Sequence, residues 1–530
     1  MPIDCISYQE SGFFSKIIVD YLNQNSNLKS FYNLFPTLEN FEKQIEEKSK
    51  NFDSENRKIL VSELNLQYKN FEISAITKSN IDSLSQKNTF TITTGHQLNL
   101  FTGPLYFLYK IISTINLTEE LKSKYPKFNF VPIYWMATED HDFEEINYFI
   151  FKGKKIKWNR ESSGPVGRFS TEGLEAVFSN FESELGLGNH ADFLKELFKK
   201  AYLEHKNLAD ATRFLANELF KNDGLVIIDG DSKGLKNIFI PYVKNELLNQ
   251  NTYNEVSKVN EILSKEFQIQ VNPREINLFY IEDNLRERII LENNNYKINN
   301  TKITFSETEI LLELENNPEK FSPNVLLRPL YQEIILPNLC YIGGGGELAY
   351  WLQLKSNFEA NKISFPILLL RNSVLLATEK QVQKADKLGL TWNNLFSNQQ
   401  VLFESKTKQL SKLNIDFSEQ KQFLKSQFGK LHEIANQTDK SFSGAVKAQE
   451  IKQTKGLENL EKRLLKAEKR VHTDALNRIF ELQDQLFPKQ SLQERSTNFS
   501  EFYLENGQSL IRKIQENLKP LSQNFTIVNL

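Results

Sequence analysis

Residues 90 to 150 limit the fold more than any other stretch, because they read as strand, polar loop, helix, strand and acidic edge in unbroken succession. Phe90-Thr91-Ile92-Thr93-Thr94 alternates and then runs into Gly95-His96-Gln97, the pattern of a strand entering a polar loop. A helix follows from Gly103-Pro104, where proline suits the first helical position, with Leu105, Leu108, Ile112 and Ile115 on one face and Tyr106, Tyr109 and Lys110 on another. Phe130 to Met136 is a continuous apolar run, as expected of a strand covered on both faces. Such a unit places the first loop, the helix start and the end of the second strand on one edge of a parallel sheet, where α/β proteins bind ligands.

A second unit of the same kind lies later in the chain. Asn338 to Ile342 reads as a strand, Gly343 to Gly346 as a loop, Glu347 through Phe358 as a helix, and Phe365 to Leu370 as a strand ending in Arg371. Gly224 to Asp229 supplies a further strand, and Asn277 to Ile281 and Arg288 to Leu291 two more. The expected fold class is therefore α/β with a parallel-sheet core over residues 1–375, interrupted by inserted segments over about 150–330. Beyond it, residues 376–488 turn to long polar helices. Leu457, Leu460, Leu464, Ala467, Val471, Ala475, Ile479, Leu482 and Leu486 recur at three- and four-residue steps along one of them. An earlier helix carries Leu424, Phe428, Leu431 and Ala435, so an antiparallel α-helical coiled-coil domain is expected, with 489–530 returning to the core.

Composition excludes several classes. The net charge of −2 gives no drive toward nucleic acid or an anionic membrane, and neither is expected as a partner. Cys5 and Cys340 are too few for a disulfide framework, and Asp4 and Glu10 stand where a secretory signal would carry positive charge, so the expected location is cytoplasmic. The apolar runs are far shorter than the ~20 residues of a membrane helix. Cys340 sits in an apolar strand, where cysteine behaves as a small hydrophobe.

The candidate chemistry lies at the two loops. Thr94, Gly95, His96, Gln97, Thr102, Gly103 and Tyr106 surround the first helix start, a natural seat for an anion, although His96 and the glycines can equally serve turn geometry. Asp140, His141 and Asp142, within the acidic run Glu139 to Glu145, can orient amines and hydroxyls or hold a divalent ion, or simply complement a helix dipole. One histidine and no nearby cysteine argue against a transition metal. Gly344 and Gly345 permit close backbone approach but lack a P-loop lysine. Glu347 is placed to face the same crevice, Trp351 to stack on a ring or pack in the core, and Arg328 and Arg371 to neutralise an anion. On these residues alone, a metal-assisted hydrolase or transferase acting on a sugar phosphate and a nucleotide-binding, non-enzymatic scaffold both remain open.

Four segments carry a resemblance: Thr94-Gly95-His96-Gln97 with Phe101-Thr102-Gly103-Pro104-Leu105-Tyr106, Glu139-Asp140-His141-Asp142-Phe143, Gly343-Gly344-Gly345-Gly346-Glu347-Leu348-Ala349-Tyr350-Trp351, and Leu486-Phe487-Pro488 with Ser491-Leu492-Gln493-Glu494-Arg495. In order and spacing the chain resembles the bacillithiol biosynthesis cysteine-adding enzyme family. The resemblance implies a Rossmann-like core with connecting-peptide insertions and a coiled coil that forms a homodimer. It implies a ligase joining L-cysteine to glucosaminyl-malate through an amide bond in the last step of bacillithiol synthesis, with the carboxylate activated by ATP or another nucleotide and with metal use open. Asp140, His141 and Glu347 are the expected catalytic residues. The chain has neither the His-x-Gly-His nor the Lys-Met-Ser-Lys-Ser signature of class I aminoacyl-tRNA synthetases, so their adenylate chemistry does not carry over.

Overall fold

The computed structural model describes residues 5–530. These form two compact units, one of residues 5–376 with 493–528 and the other of residues 377–492.

The larger unit is built on five parallel strands: β1 (Thr89–His96), β2 (Asn129–Met136), β3 (Val226–Asp229), β4 (Asn338–Gly343) and β5 (Ile367–Leu370). Their order across the sheet is β5-β4-β1-β2-β3. Strands added after β1 go to one side and β4 and β5 to the other, so the order reverses between β1 and β4, as in a Rossmann-type sheet. The Rossmann-like α/β core that the sequence leads one to expect is what forms. Every residue of β1 is buried, which explains why its apolar pattern runs through threonines rather than charges. Phe90, Ile92, Phe130, Leu339, Ile342, Ile367 and Leu369 of the sheet pack with Phe41 and Ile45 of one helix and Leu117 and Leu121 of α1 (Tyr106–Lys124). Cys340 belongs to this cluster, and burial pushes its thiol pKa well up, which suits a packing residue and not a nucleophile.

Between β3 and β4 lies a five-stranded antiparallel sheet, led by the hairpin Leu278–Glu282 and Leu285–Glu292. It carries Arg286 to the edge of the parallel sheet where β1 and β2 end.

Two local expectations are corrected. Helix α1 starts at Tyr106, not at Gly103-Pro104, because Gly103 stands at φ 62° and ψ −134° and the chain enters the helix only after it. The helix expected from Glu347 through Phe358 is two: α2 (Gly345–Trp351) and a second, Lys355–Ala360. Gln353 lies in the break, buried, where its side chain bonds the Val271 carbonyl at 2.7 Å and Asn260 at 2.5 Å; a tertiary bond outweighs helix propensity.

In the smaller unit α3 (Ser418–Ala435) and α4 (Lys440–Val471) form a hairpin. Lys421 meets Glu461 at 2.6 Å and His432 meets Glu450 at 2.8 Å, so the helices run antiparallel, with Phe428, Ala435 and Val446 between them. The seam expected on a single helix is interrupted at His472, after which α5 (Thr473–Leu486) begins. The Thr473 hydroxyl bonds the Arg470 carbonyl at 2.8 Å, a local bond that competes with continuing the helix. Among the described residues no helix is long and apolar enough to cross a membrane.

Candidate active site

At the reversal point between β1 and β4, on the carboxyl edge of the sheet, opens a cavity of about 680 Å³. Gly95, His96, Gln97, Tyr106, Asp140, Gly344, Gly345, Glu347, Arg328 and Arg371, all expected from sequence, line it together. Both strand-to-helix crossovers therefore face one hollow.

The β1 side is the tightest. A Cβ on Gly95 would stand 3.1 Å from the Tyr341 hydroxyl, a tight contact that would press on the hydroxyl bonded to Glu347. Lys110 of α1 reaches under this edge, 5% exposed, and donates to the Gly95 carbonyl at 2.7 Å and to Glu347 at 2.6 Å. Glu347, in the first turn of α2, also accepts from the Gly344 N–H at 2.8 Å and the Tyr341 hydroxyl at 2.7 Å. Burial would raise its pKa, but Lys110 and these donors outweigh that and hold it below the usual carboxylate range. Glu347 is thus an ionised member of a saturated network, and the ammonium it binds is that of Lys110.

His96 is buried, with its ring against Tyr106 and Phe107 at 5.3 and 5.1 Å. Burial first, then the charges of Lys110 and Arg371, push its pKa well down, so the ring is neutral. It bonds the Thr102 carbonyl, and Nε2 has no hydrogen-bond partner among the described residues.

On the β2 side, Gln97 donates to Asp140 at 3.1 Å and to Glu145 at 3.0 Å, tying the acidic run to the end of β1. Burial opposes ionisation of Asp140, but bonds from His141 and Gln97 and the Arg286 charge bring its pKa down to about 2. A group this acidic orients a cation well and takes a proton poorly. His141 lies outside the cavity wall, its Nδ1 engaged by Arg286. Asp140, His141 and Asp142 bring one ligand atom each within 4.8 Å of one another, but Arg286 engages Nδ1 of that imidazole and sets a positive charge beside the group, which disfavours a divalent ion.

The β4 and β5 side is cationic. Arg328, beside the Tyr341 ring at 5.8 Å, and Arg371, 5.3 Å from the centre of the Tyr106 ring, both line the cavity. Burial opposes both charges, but the Tyr341 and Tyr350 hydroxyls with Glu347 at Arg328, and Glu494 at Arg371, outweigh it.

Several expected residues do other work. Thr94 is fully buried and donates to the Ile342 carbonyl at 2.8 Å, joining β1 to β4. Thr102 and Gly103 lie away from the cavity; Gly103 is required because a Cβ there would come within 2.6 Å of the Asn99 Cβ. Of the amides at this helix start, where an anion seat is expected, the Leu105 N–H is already bonded to the Thr497 carbonyl at 2.9 Å and the Phe107 N–H to the Pro104 carbonyl at 3.1 Å. Trp351 is a core residue, stacked on Tyr341 at 4.5 Å, and Asp142 is outside the wall.

Conversely, Lys110, Tyr341, Arg286 and Arg495 line the site without having been selected for it. Lys110 stood on the polar face of the first helix and Arg495 in the Ser491 to Arg495 motif, the only signals available for either. A second hollow of about 720 Å³ shares Thr138 with the first and contains Asp229, whose pKa burial and Asp231 raise to about 6, and Arg168, bound by Asp231 and Asp283. Its lining has an acidic excess, and it holds none of the glycine-rich crossover loop, so the cleft where both crossovers meet is the better candidate.

Fold and cleft together define a Rossmann-type α/β protein with a small-molecule site at its switch point and a helical-hairpin unit beside it in sequence. The family described as Bacillithiol biosynthesis BshC, N-terminal Rossmann-like domain matches residues 1–372, and its C-terminal coiled-coil domain matches residues 374–530. The chain belongs to this family. A Flavobacterium johnsoniae protein called "Putative cysteine ligase BshC" is 66% identical over 530 residues, covering all of both chains. One of the same name from Flavobacterium psychrophilum is 64% identical, covering 100% of this chain and 99% of that one. A Campylobacter jejuni structure named for an arginyl-tRNA synthetase aligns with 83% of this chain and 94% of its own at 11% identity, but its TM-score of 0.22 is too low to bear on the fold.

Proposed function

We propose that this protein is a cysteine ligase that joins the L-cysteine carboxyl group to the amine of glucosaminyl-malate, forming an amide and completing bacillithiol. Family membership and the names of the relatives support the cysteine ligase reading. The observation that carries the choice of acceptor is the division of charge across one cleft: Glu139, Asp140 and Glu145 come from the β2 side, and Arg328 and Arg371 from the β4 and β5 side. Glucosaminyl-malate has the matching form, an amine at one end and two carboxylates at the other. In this reading Asp140, fixed by Gln97, orients the amine, and Arg328 and Arg371 receive malate carboxylates. Lys110 and Glu347 hold the two crossovers in register beneath the ligand. His141 sets Arg286 and, through it, the acidic wall.

An amine does not displace a carboxylate oxygen at useful rates, so the cysteine carboxyl needs activation, and ATP is the proposed source of its leaving group. A cavity of this volume and the cations Arg328, Arg371 and Arg495 suit a polyphosphate, although the Gly343 to Gly346 turn has no P-loop lysine. The same cations suit malate, and separate titrations of the two ligands tell which they hold. A homodimer through the helical unit is part of the proposal: Phe423, Ile434 and Val471 are 67%, 54% and 71% exposed on its helices, apolar surface a second copy would cover.

The test is a deletion strain profiled for thiols by mass spectrometry. Glucosaminyl-malate should accumulate and bacillithiol disappear, with both restored by the intact gene. A strain that still makes bacillithiol at the normal level would refute the proposal.

A further inference from the structure

The turn Gln493 to Arg495 belongs to the larger unit and enters the wall of the cleft. Glu494 is 1% exposed and accepts from the Val374 N–H at 3.0 Å, the Ser373 hydroxyl at 3.2 Å and Nη2 of Arg371 at 2.7 Å. Nη1 of Arg371 donates to the Asn372 carbonyl at 3.0 Å and the Ser373 hydroxyl at 3.3 Å. That leaves Nε, which has no partner among the described residues although the side chain is only 7% exposed. It lies 3.8 Å from where a Cβ of Gly344 would stand, at a point where both residues line the cavity. A buried guanidinium N–H without an acceptor is costly in the free protein. An anionic ligand oxygen would remove that cost, and Gly344 keeps the approach free of a side chain.

We infer that Glu494 is a positioning residue for the ligase site: it acts through Arg371, fixing the guanidinium so that Nε–H is held for an anionic oxygen of the ligand, while Arg495 of the same turn adds a second charge. The acceptor is a carboxylate or phosphate oxygen, and the inference rests on the proposal that this cleft binds the anionic substrate. Arg371 offers a fork that lysine could not, since two of its nitrogens are tied to the protein and the third is aimed by them.

A double-mutant cycle on the full chain tests this, with glucosaminyl-malate and ATP titrated separately by calorimetry into wild type, Glu494→Ala, Arg371→Ala and the double variant. If Glu494 works through Arg371, Glu494→Ala weakens one of the two ligands by about tenfold or more in the wild-type background and by less than about twofold in the Arg371→Ala background. The ligand that shows the coupling identifies the oxygen as carboxylate or phosphate. An equal penalty in both backgrounds, or none in either, overturns the inference. Should Glu494→Ala not fold, Glu494→Asp keeps the charge one methylene short of its partners; wild-type affinity in that variant overturns it equally. A wild type that binds neither ligand removes the reading of the cleft itself, whereas binding without coupling removes only the role of Glu494.

Discussion

The two crossover loops of the sheet have the same position in the fold and opposite characters. The loop after β4 is open: Gly344 and Gly345 line the cavity, and the first-turn carboxylate of Glu347 closes back onto the Gly344 N–H. The loop after β1 is closed and strained, with Phe101, Thr102 and Gly103 at successive φ values of 47°, 69° and 62°. For Phe and the β-branched Thr this region costs roughly 1–3 kcal/mol each. Asn498 holds it there by donating to the Phe101 carbonyl at 2.8 Å and the Gly103 carbonyl at 2.6 Å, and the Tyr202 hydroxyl accepts from the Phe101 N–H at 2.8 Å. In the proposed reading the open loop receives the ligand, and the other is a braced mount that fixes His96, Gln97 and Tyr106 around it.

Breaking the open loop should have the largest effect. Glu347→Gln leaves the Lys110 ammonium buried without its counter-ion, at a cost of about 3–5 kcal/mol. Urea unfolding should show much of this as lost stability, and kcat/KM should fall by roughly 100-fold or more; unchanged values for both would contradict the network described. Breaking the brace comes next. Asn498→Ala strips two buried carbonyls of their donor and should lower stability by about 2–4 kcal/mol, read as a shift in urea midpoint at constant slope. If the midpoint does not move, the strained loop needs no external clamp.

A smaller, pH-dependent effect belongs to the link between the closed loop and the acidic wall. Asp140 titrates at about 2 in the folded protein, below its ordinary value of 3.8, so its stabilising contribution is complete above that ordinary value and disappears as pH falls through about 2. Asp140→Asn should therefore cost roughly 2 kcal/mol at pH 7 and only a small fraction of that near pH 2, comparing urea midpoints of the two proteins. A constant difference across that range would show that the bonds from Gln97 and His141 are not what lowers it. The smallest effect is expected at His96, which is neutral and turned into the brace: His96→Gln should reduce turnover by less than about tenfold, and a loss above roughly 100-fold would make it an acid or base after all.

What the sequence made legible follows from range. The strand and helix periods of both crossovers are local, and they placed Gly95, Gln97, Asp140, Gly344, Glu347 and Arg371 around one cavity. The character of each loop is not local. Nothing near Thr102 signals that Asn498, almost 400 residues away, holds its neighbours in the left-handed region, so the helix start looked free to bind an anion when the Leu105 and Phe107 amides were already taken. Arg286 was hidden for a related reason, since an antiparallel hairpin inserted between β3 and β4 carries it to the site. Trp351 sat at a plausible spacing but faces inward, where Tyr341, Phe358 and Phe365, the last two brought in by later segments, take its ring into the core.

The central claim is that both crossovers grip one molecule that is cationic at one end and anionic at the other. A crystal structure of the full chain with glucosaminyl-malate tests it most directly. The account predicts the sugar amine against Gln97 and Asp140 and the malate carboxylates against Arg328 and Arg371, in the same cavity. Ligand bound in the second hollow beside Asp229, or touching only one of the two walls, would contradict it.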